Sequence, residues 1–361
     1  MFSPASISAV FAVTHAGASG ETAEELRAAF HFPGDPDTLH AGFSTLLDAW
    51  RTREGIELAV ANRLFGQQSL GFRPSFIELS GRYGAPLETM PLWDDPAGSV
   101  EAINKWVAAE TRESITDILP PGSLAAQGVG ADLPLLVLVN AVYLDAKWAS
   151  PFDDHDEREF YTPEGAQTIM MIAQTSAFAY GRDPEFGVDF VDLPYVDDRM
   201  SMLLVRPVAR DGLPEVEAGL DAEALARWAR EVNQAEPERV HITMPKFETE
   251  FGLSLPSVLA ELGVERAFAA QHAQFDAMVE SRESMPMPYL RDTFHKARIA
   301  VDDERTVASA ATATFWAGVY GGAIQAPPIE FMVDRPFLYF VRDRQSGAVL
   351  FMGRVNHPLD E

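Results

Sequence analysis

Leu135-Leu136-Val137-Leu138-Val139-Asn140-Ala141-Val142-Tyr143-Leu144, followed by Lys147-Trp148 and Pro151-Phe152, is the stretch on which the reading of this chain turns. Its first ten residues show no apolar–polar alternation. Aliphatic side chains occupy both parities, so neither face of an extended chain can be left to water. The run reads as a doubly buried strand. Counted from Leu133 it is still broken by Pro134 and Asn140, and no apolar run reaches the ~18 residues a membrane-spanning helix needs.

Outward from this strand the elements alternate in kind but not in a regular βαβ order. Glu101 to Leu119 places Ile103, Trp106, Val107, Ile115 and Ile118 at helical spacing, Ala222 to Val232 carries Leu225 and Trp228 on one helical face, and Leu253 to Leu262 reads as a third helix closed by Gly263. Val240, Ile242 and Met244 alternate with polar neighbours, as do Ala297, Ile299 and Val301, and these are strands. Phe337 to Val341 and Ala348 to Val355 flank Asp343-Arg344-Gln345-Ser346-Gly347 and form a C-terminal hairpin. Helices dominate the first third and strands the rest, which predicts an α+β fold. Pro120 to Pro134, which includes three glycines, reads as a surface loop leading into the buried strand rather than as an interdomain linker. Thr306 to Pro328 has no charge and little but Ala, Thr, Ser and Gly around Phe315, Trp316 and Tyr320; so long a stretch without period inside a compact chain points to function.

Composition excludes more than it names. Lys plus Arg is 28 and Asp plus Glu is 54 among 361 residues, a formal charge of −26. Only Lys105, Lys147, Lys246 and Lys296 are lysines, and no cationic cluster exists to bind phosphate backbones or an anionic membrane. With 47% hydrophobic residues, disorder is excluded. The absence of cysteine removes disulfides, thiolate catalysis and Cys-based metal sites. Ile7 to Val13 is apolar but follows no basic residue, which disfavours a signal peptide; the compartment stays open, with a cytoplasmic location favoured and secretion the alternative if the true start lies upstream. Gly17-Ala18-Ser19-Gly20 does not match the nucleophile elbow Gly-x-Ser-x-Gly; Ser19 and Thr22 before Glu24 and Glu25 read as a helix start. The histidines at 15, 31, 40, 155, 241, 272, 295 and 357 have no helical ligand spacing, no phosphate loop is present, and Asp153-Asp154 and Asp197-Asp198 read as solvated turns. No cofactor or metal is expected, and no catalytic residue is assigned.

Several segments carry a family resemblance instead. Phe2-Ser3-Pro4-Ala5-Ser6-Ile7, Gly17-Ala18-Ser19-Gly20-Glu21-Thr22 with Glu25-Leu26, and Ala61-Asn62-Arg63-Leu64-Phe65 open the series. The central stretch quoted above, Asp192-Leu193-Pro194-Tyr195, Met244-Pro245-Lys246-Phe247 and His295-Lys296-Ala297 before Val301-Asp302-Asp303-Glu304 continue it. Asp334-Arg335-Pro336-Phe337 and Leu350-Phe351-Met352-Gly353-Arg354-Val355 close it. In this order, from residue 2 to residue 355, the chain resembles the serpins, the serine protease inhibitor family, and within them an inhibitory member of bacterial type.

The resemblance implies one domain over residues 1–361 with three β-sheets, about eight helices and an exposed reactive loop, with the hinge and loop at 303–328. It implies a monomeric inhibitor, not an enzyme, that a serine protease attacks as a substrate and that traps the acyl-enzyme by inserting its loop into the main sheet. By family spacing the hinge comprises Asp303, Glu304, Arg305, Thr306, Val307, Ala308, Ser309, Ala310, Ala311 and Thr312. Thr306, Ala308, Ala310, Thr312 and Thr314 would face inward on insertion; all are small and uncharged, so burying them desolvates no ion. The same spacing places the reactive bond at Val319–Tyr320. Val319 as bait suits elastase-like proteases, and Tyr320 suits chymotrypsin- or subtilisin-like ones. No Arg or Lys lies between Thr306 and Pro328, which argues against trypsin-like targets. Ser3, Ser6, Asn140 and His295 match the polar cluster of the family's shutter, and Trp148 matches the tryptophan of its breach.

Three departures accompany the match. Met1 stands directly before Phe-Ser-Pro, where relatives have a helix; a start lying further upstream is favoured over a lost helix. Arg305 stands where the family usually has Gly. Tyr320 to Pro336 is about six residues longer than usual. A non-inhibitory serpin acting as a carrier or chaperone-like binder is the alternative reading.

Overall fold

The computed structural model describes residues 1–50, 55–125, 136–270, 272–280, 287–303 and 326–358. In chain order the elements are α1 (Pro4–Gly17), α2 (Gly20–Ala29), α3 (Pro36–Ala49), β1 (Ile56–Gln67), α4 (Pro74–Arg82), β2 (Leu87–Met90), α5 (Pro96–Glu110) and β3 (Leu136–Ala146). There follow β4 (Asp154–Thr162), β5 (Gly165–Asp183), β6 (Val188–Pro194), β7 (Met200–Pro207), α6 (Leu213–Gly219), α7 (Ala222–Gln234), β8 (Glu238–Pro245) and β9 (Phe247–Ser254). The last are α8 (Pro256–Glu261), β10 (Leu290–Val301), β11 (Ile329–Met332), β12 (Phe337–Asp343) and β13 (Val349–Val355). Backbone contacts divide the chain into two units, one of residues 1–52, 57–144 and 250–299, the other of residues 53–56, 145–249 and 300–361.

A five-stranded sheet runs in the order β2-β1-β3-β10-β9, with β3 and β10 parallel neighbours at its centre. The apolar residues of β3 on either side of Asn140 are explained by what covers them. Leu136 and Leu138 pack into a cluster with Val10, Phe11 and Val13 of α1. Val137, Val139 and Ala141, of the opposite parity, pack with Ile103 and Val107 of α5. Both faces are therefore dry, and period-2 geometry requires apolar residues at both parities. Every residue of α1 from Ala9 to Thr14 is buried, as expected of a helix without a polar face.

The other sheet has eight strands, ordered β11-β8-β5-β6-β7-β12-β13, with β4 paired to β5. The 19-residue β5 serves two partners in succession. Met171 to Phe178 pair with β8, and Ala179 to Asp183 pair with β6. The three expected sheets thus take the form of one separate sheet and two that share this strand. Trp228 of α7 seals the β6–β7–β12 face with Phe190, Leu203, Val205 and Phe340. The predicted hairpin of β12 and β13 is present, antiparallel, with Phe337 opposite Val355.

Two helix expectations need correction. The helix read over Glu101 to Leu119 spans Pro96–Glu110: Thr111 donates its hydroxyl to the Val107 carbonyl and accepts the Ile115 amide, and Arg112 and Glu113 take left-handed φ values of 51° and 61°. Ile115 and Ile118 keep their burial in the irregular segment beyond. The helix read over Leu253 to Leu262 is α8 alone, because Pro256 pre-sets the first helical turn and Leu253 belongs to β9. The helix start at Gly17-Ala18-Ser19-Gly20 is present, but the Ser19 side chain does not cap it. Its hydroxyl donates to Asp276 instead.

Candidate functional site

Parallel pairing of β3 with β10 runs from Leu136 opposite Leu290 to Leu144 opposite Ile299, with Asn140 directly across from His295. That juxtaposition seats a polar cluster in the apolar interior. Ser3, Ser6, Asn62, Asn140 and His295 are all buried. The Ser3 amide donates to Nε2 of His295 at 3.1 Å, so this nitrogen carries no proton, and Nδ1–H donates to Asn140 Oδ1. Asn140 Nδ2 donates to Ser6 Oγ at 2.6 Å and to Asn62 Oδ1. Ser6 Oγ donates to Asn62 Oδ1 at 3.3 Å, and Ser3 Oγ accepts the Ser6 amide, which caps α1. Each group has a definite donor or acceptor role, and only the neutral Nδ1–H tautomer fits. Burial agrees, pushing His295 down to about 3.

Below this cluster β10 is tied to the segment after α5. Lys296 Nζ donates to the Asp117 carbonyl at 3.0 Å and pairs with the carboxylates of Asp117 at 2.8 Å and Glu250 at 2.7 Å. Burial opposes its charge, and the two carboxylates more than offset that, so its pKa is raised. Arg298 donates to the Ser114 carbonyl at 2.7 Å.

A second constellation surrounds the residues that follow β10. Trp148 stacks on Tyr195 with ring centroids 4.7 Å apart and meets Phe152 edge-on at 6.0 Å. Its indole N–H donates to the Asp302 carbonyl at 3.2 Å. The Asp303 carboxylate lies between the His155 imidazole and the Lys246 ammonium. Burial raises its pKa, but the hydrogen bonds from Lys246 and His155 outweigh this and leave it lowered.

The structure therefore brings Ser3, Ser6, Asn140 and His295 into one network and places Trp148 against the residue before Asp303. Glu304, Arg305, Thr306, Val307, Ala308, Ser309, Ala310, Ala311, Thr312, Val319 and Tyr320 lie outside the described residues. Sequence reading gave no role to Asn62, although an amide in the middle of β1 was its signal. His155 and Lys246 carried no local signal, because His155 and Asp303 are 148 positions apart. Among the described residues no group of His, Asp and Glu could hold a metal ion.

The chain is similar to known proteins over nearly its whole length. The family model described as serpin (serine protease inhibitor) matches residues 1–358. Human antithrombin-III is 33% identical over 99% of this chain and 76% of its own length. Mouse leukocyte elastase inhibitor A is 31% identical over 99% of this chain and 92% of its own. The structure of native protease nexin-1 with heparin superposes with a TM-score of 0.84, at 28% identity, over 99% of this chain and 92% of that one. The fold is the α+β serpin fold, and the chain belongs to the serpin family of serine protease inhibitors, proteins that are not themselves enzymes.

Proposed function

We propose that this protein is an inhibitory serpin, a suicide substrate for chymotrypsin-, elastase- or subtilisin-like serine proteases. The observation that carries the reading is the direct parallel pairing of β3 and β10, together with an uncharged loop sequence that begins within a few residues of the end of β10. A chain that turns back after β10 runs antiparallel to it, and hence antiparallel to β3 as well. Insertion between them exchanges one parallel pairing for two antiparallel ones, which are the more stable kind. Each added backbone bond contributes roughly 1 kcal/mol net, and the small side chains of Thr306, Ala308, Ala310, Thr312 and Thr314 enter without desolvating a charge.

In this reading the protease serine attacks the carbonyl of Val319, or of Tyr320 one residue later; the peptide bond to the next residue breaks, the amine of the downstream chain leaves, and the serine is left as an ester of the loop. Insertion then drags the acyl-enzyme away from its productive geometry, and small displacements of catalytic groups cost orders of magnitude in deacylation rate. Asp303 and the residues after it form the hinge. Ser3, Ser6, Asn140 and His295 form the polar cluster where the strands part, and Trp148 marks the end at which entry begins. One domain, a monomeric state and a bacterial type belong to the same proposal, resting on the sequence resemblance. The elastase inhibition named for the mouse relative supports a small apolar bait such as Val319 over a basic one.

Incubation with chymotrypsin and with an elastase-like protease tests this. A denaturant-stable covalent adduct at near-equimolar ratio is expected. Cleaved loop without adduct would favour a non-inhibitory member, and mass analysis of the released peptide identifies the bait residue.

A further inference from the structure

The helix α3 is lightly covered and has two histidines in its seam. Of its 14 residues only Leu39 and Ala49 are fully buried. Phe43 and Leu47 pack, half-buried, against the cluster that holds Val10, Phe11 and Val13 of α1. A helix of this length keeps little structure in water unless packing supports it. His40 shares the helical stripe of Phe43 and Leu47. Its Nδ1 lies 2.6 Å from the hydroxyl of buried Tyr83 at the end of α4, and the two rings meet edge-on at 5.6 Å. His15, in the last turn of α1, meets Phe32 edge-on at 5.6 Å, and Phe32 meets Phe43 edge-on at 6.2 Å.

A proton on either ring is opposed from several sides. Burial is the largest cause and holds both histidines below the ordinary 6.5. For His15, charge on His40 of α3 and on Arg27 of α2 also opposes the proton, whereas Glu24 of α2 favours it, as does the carboxyl end of α1. For His40, Arg82 at the end of α4 opposes it and Asp37 on its own helix favours it. Tyr83 stays neutral, since burial pushes its hydroxyl up to about 12. A charged His40 ring must donate from Nδ1, so the hydroxyl has to turn its own hydrogen elsewhere. We propose that α3 is an acid-released helix: it docks on α1 and α4 while His15 and His40 are neutral, and it comes away, uncovering Phe32 and Tyr83, when both rings take up protons. The docked form binds protons less readily than the released one. Docking is therefore fully present above 6.5 and is lost as pH falls through the two lowered values. The device is independent of loop insertion.

Hydrogen exchange of the full chain between about pH 8 and about pH 5 tests this, with each amide rate divided by its unstructured rate at the same pH. The amides of Phe43, Leu46 and Leu47 report α3, and those of Val137 and Val139 in β3 report opening of the whole unit. Proton uptake by two rings weakens docking by at most ~100-fold per pH unit, and uptake by one ring by at most ~tenfold. Protection of α3 should fall on the order of tenfold or more over this range, and further than that of β3. His15→Phe, which keeps the edge contact with Phe32, should make the fall about half as steep on a logarithmic scale. His15→Phe combined with His40→Gln should leave α3 protection level. If that double variant is already open at pH 8, the shallower slope of His15→Phe alone supports the inference. An α3 protection that falls no further than that of β3, or a His15→Phe slope equal to wild type, overturns it.

Discussion

His295 shows how much one buried side chain can commit a structure to a protonation state. The ring accepts from the Ser3 amide and donates to Asn140, so an added proton on Nε2 would face an N–H donor inside an apolar interior. Its folded pKa is depressed to about 3 against 6.5. A depressed histidine contributes stability in full above its unfolded pKa and loses it as pH falls toward the folded one. Denaturant unfolding at pH 8 and pH 5 should therefore differ by about 2 kcal/mol from this residue. His295→Ala should remove that pH-dependent part and lower stability at pH 8 by about 1–3 kcal/mol, because the Ser3 amide and the Asn140 carbonyl lose their partner. Equal pH dependence in both proteins would show that the ring takes up its proton equally in the folded and unfolded states. His15 and His40 act in the same direction: burial lowers both, and the difference between wild type and variant isolates His295.

The element that matters most is β10, because three different attachments act on it. Asn140 binds its middle, the segment after α5 binds Lys296 and Arg298, and the residues following it meet Trp148 and Lys246. Lys296→Met should cost about 1 kcal/mol, a modest figure because both carboxylates are partly exposed. Hydrogen exchange should quicken at the amides of Ile118 and Leu119, which Asn104 holds in the same segment. Unchanged exchange there would mean that Asn104 alone fixes the segment. On the inhibitory reading, Thr306→Arg places a charge at the first inward position of the entering strand and should turn the inhibitor into a substrate. Gel analysis with chymotrypsin should then show cleaved chain in place of adduct. A full adduct yield would reverse the assigned inward parity.

For the whole molecule two quantities compete, stored conformational free energy and net charge. If the intact protein is held short of its most stable pairing, a cut anywhere in 306–328 should raise its melting temperature well above that of the uncut chain. Calorimetry of the two forms decides this, and equal melting temperatures would remove the driving force for trapping. The charge of −26 acts on both forms alike. Self-repulsion weakens a compact state, and raising ionic strength from about 10 mM to about 1 M shortens the Debye length from ~30 Å to ~3 Å. Melting temperature should rise by several degrees over that range. A fall would mean that ion pairs such as Arg342–Asp192, both buried, contribute more than the net repulsion.

What was legible in the sequence was whatever depends on neighbours along the chain. Residues 136–144 declare a doubly covered strand because burial on two faces demands apolar side chains at both parities, and residues 240, 242 and 244 declare β8 by their alternation. Helix ends were less legible: the left-handed turn at Arg112–Glu113 follows from hydrogen bonds of Thr111, which no periodicity reports. The linear order of motifs from residue 2 to residue 355 was enough for the α+β fold and the family, since a covered strand, a turn and a cap each leave a local chemical mark. The family match placed Asn140 and His295 in one cluster, but it could not give their register across β3 and β10, nor that Asn62 completes their network, nor that His155 and Lys246 share the Asp303 carboxylate. Those pairings are made by strand register and by segments far apart in sequence, and a hydrogen bond or ion pair depends on distance in space, which only the folded chain sets.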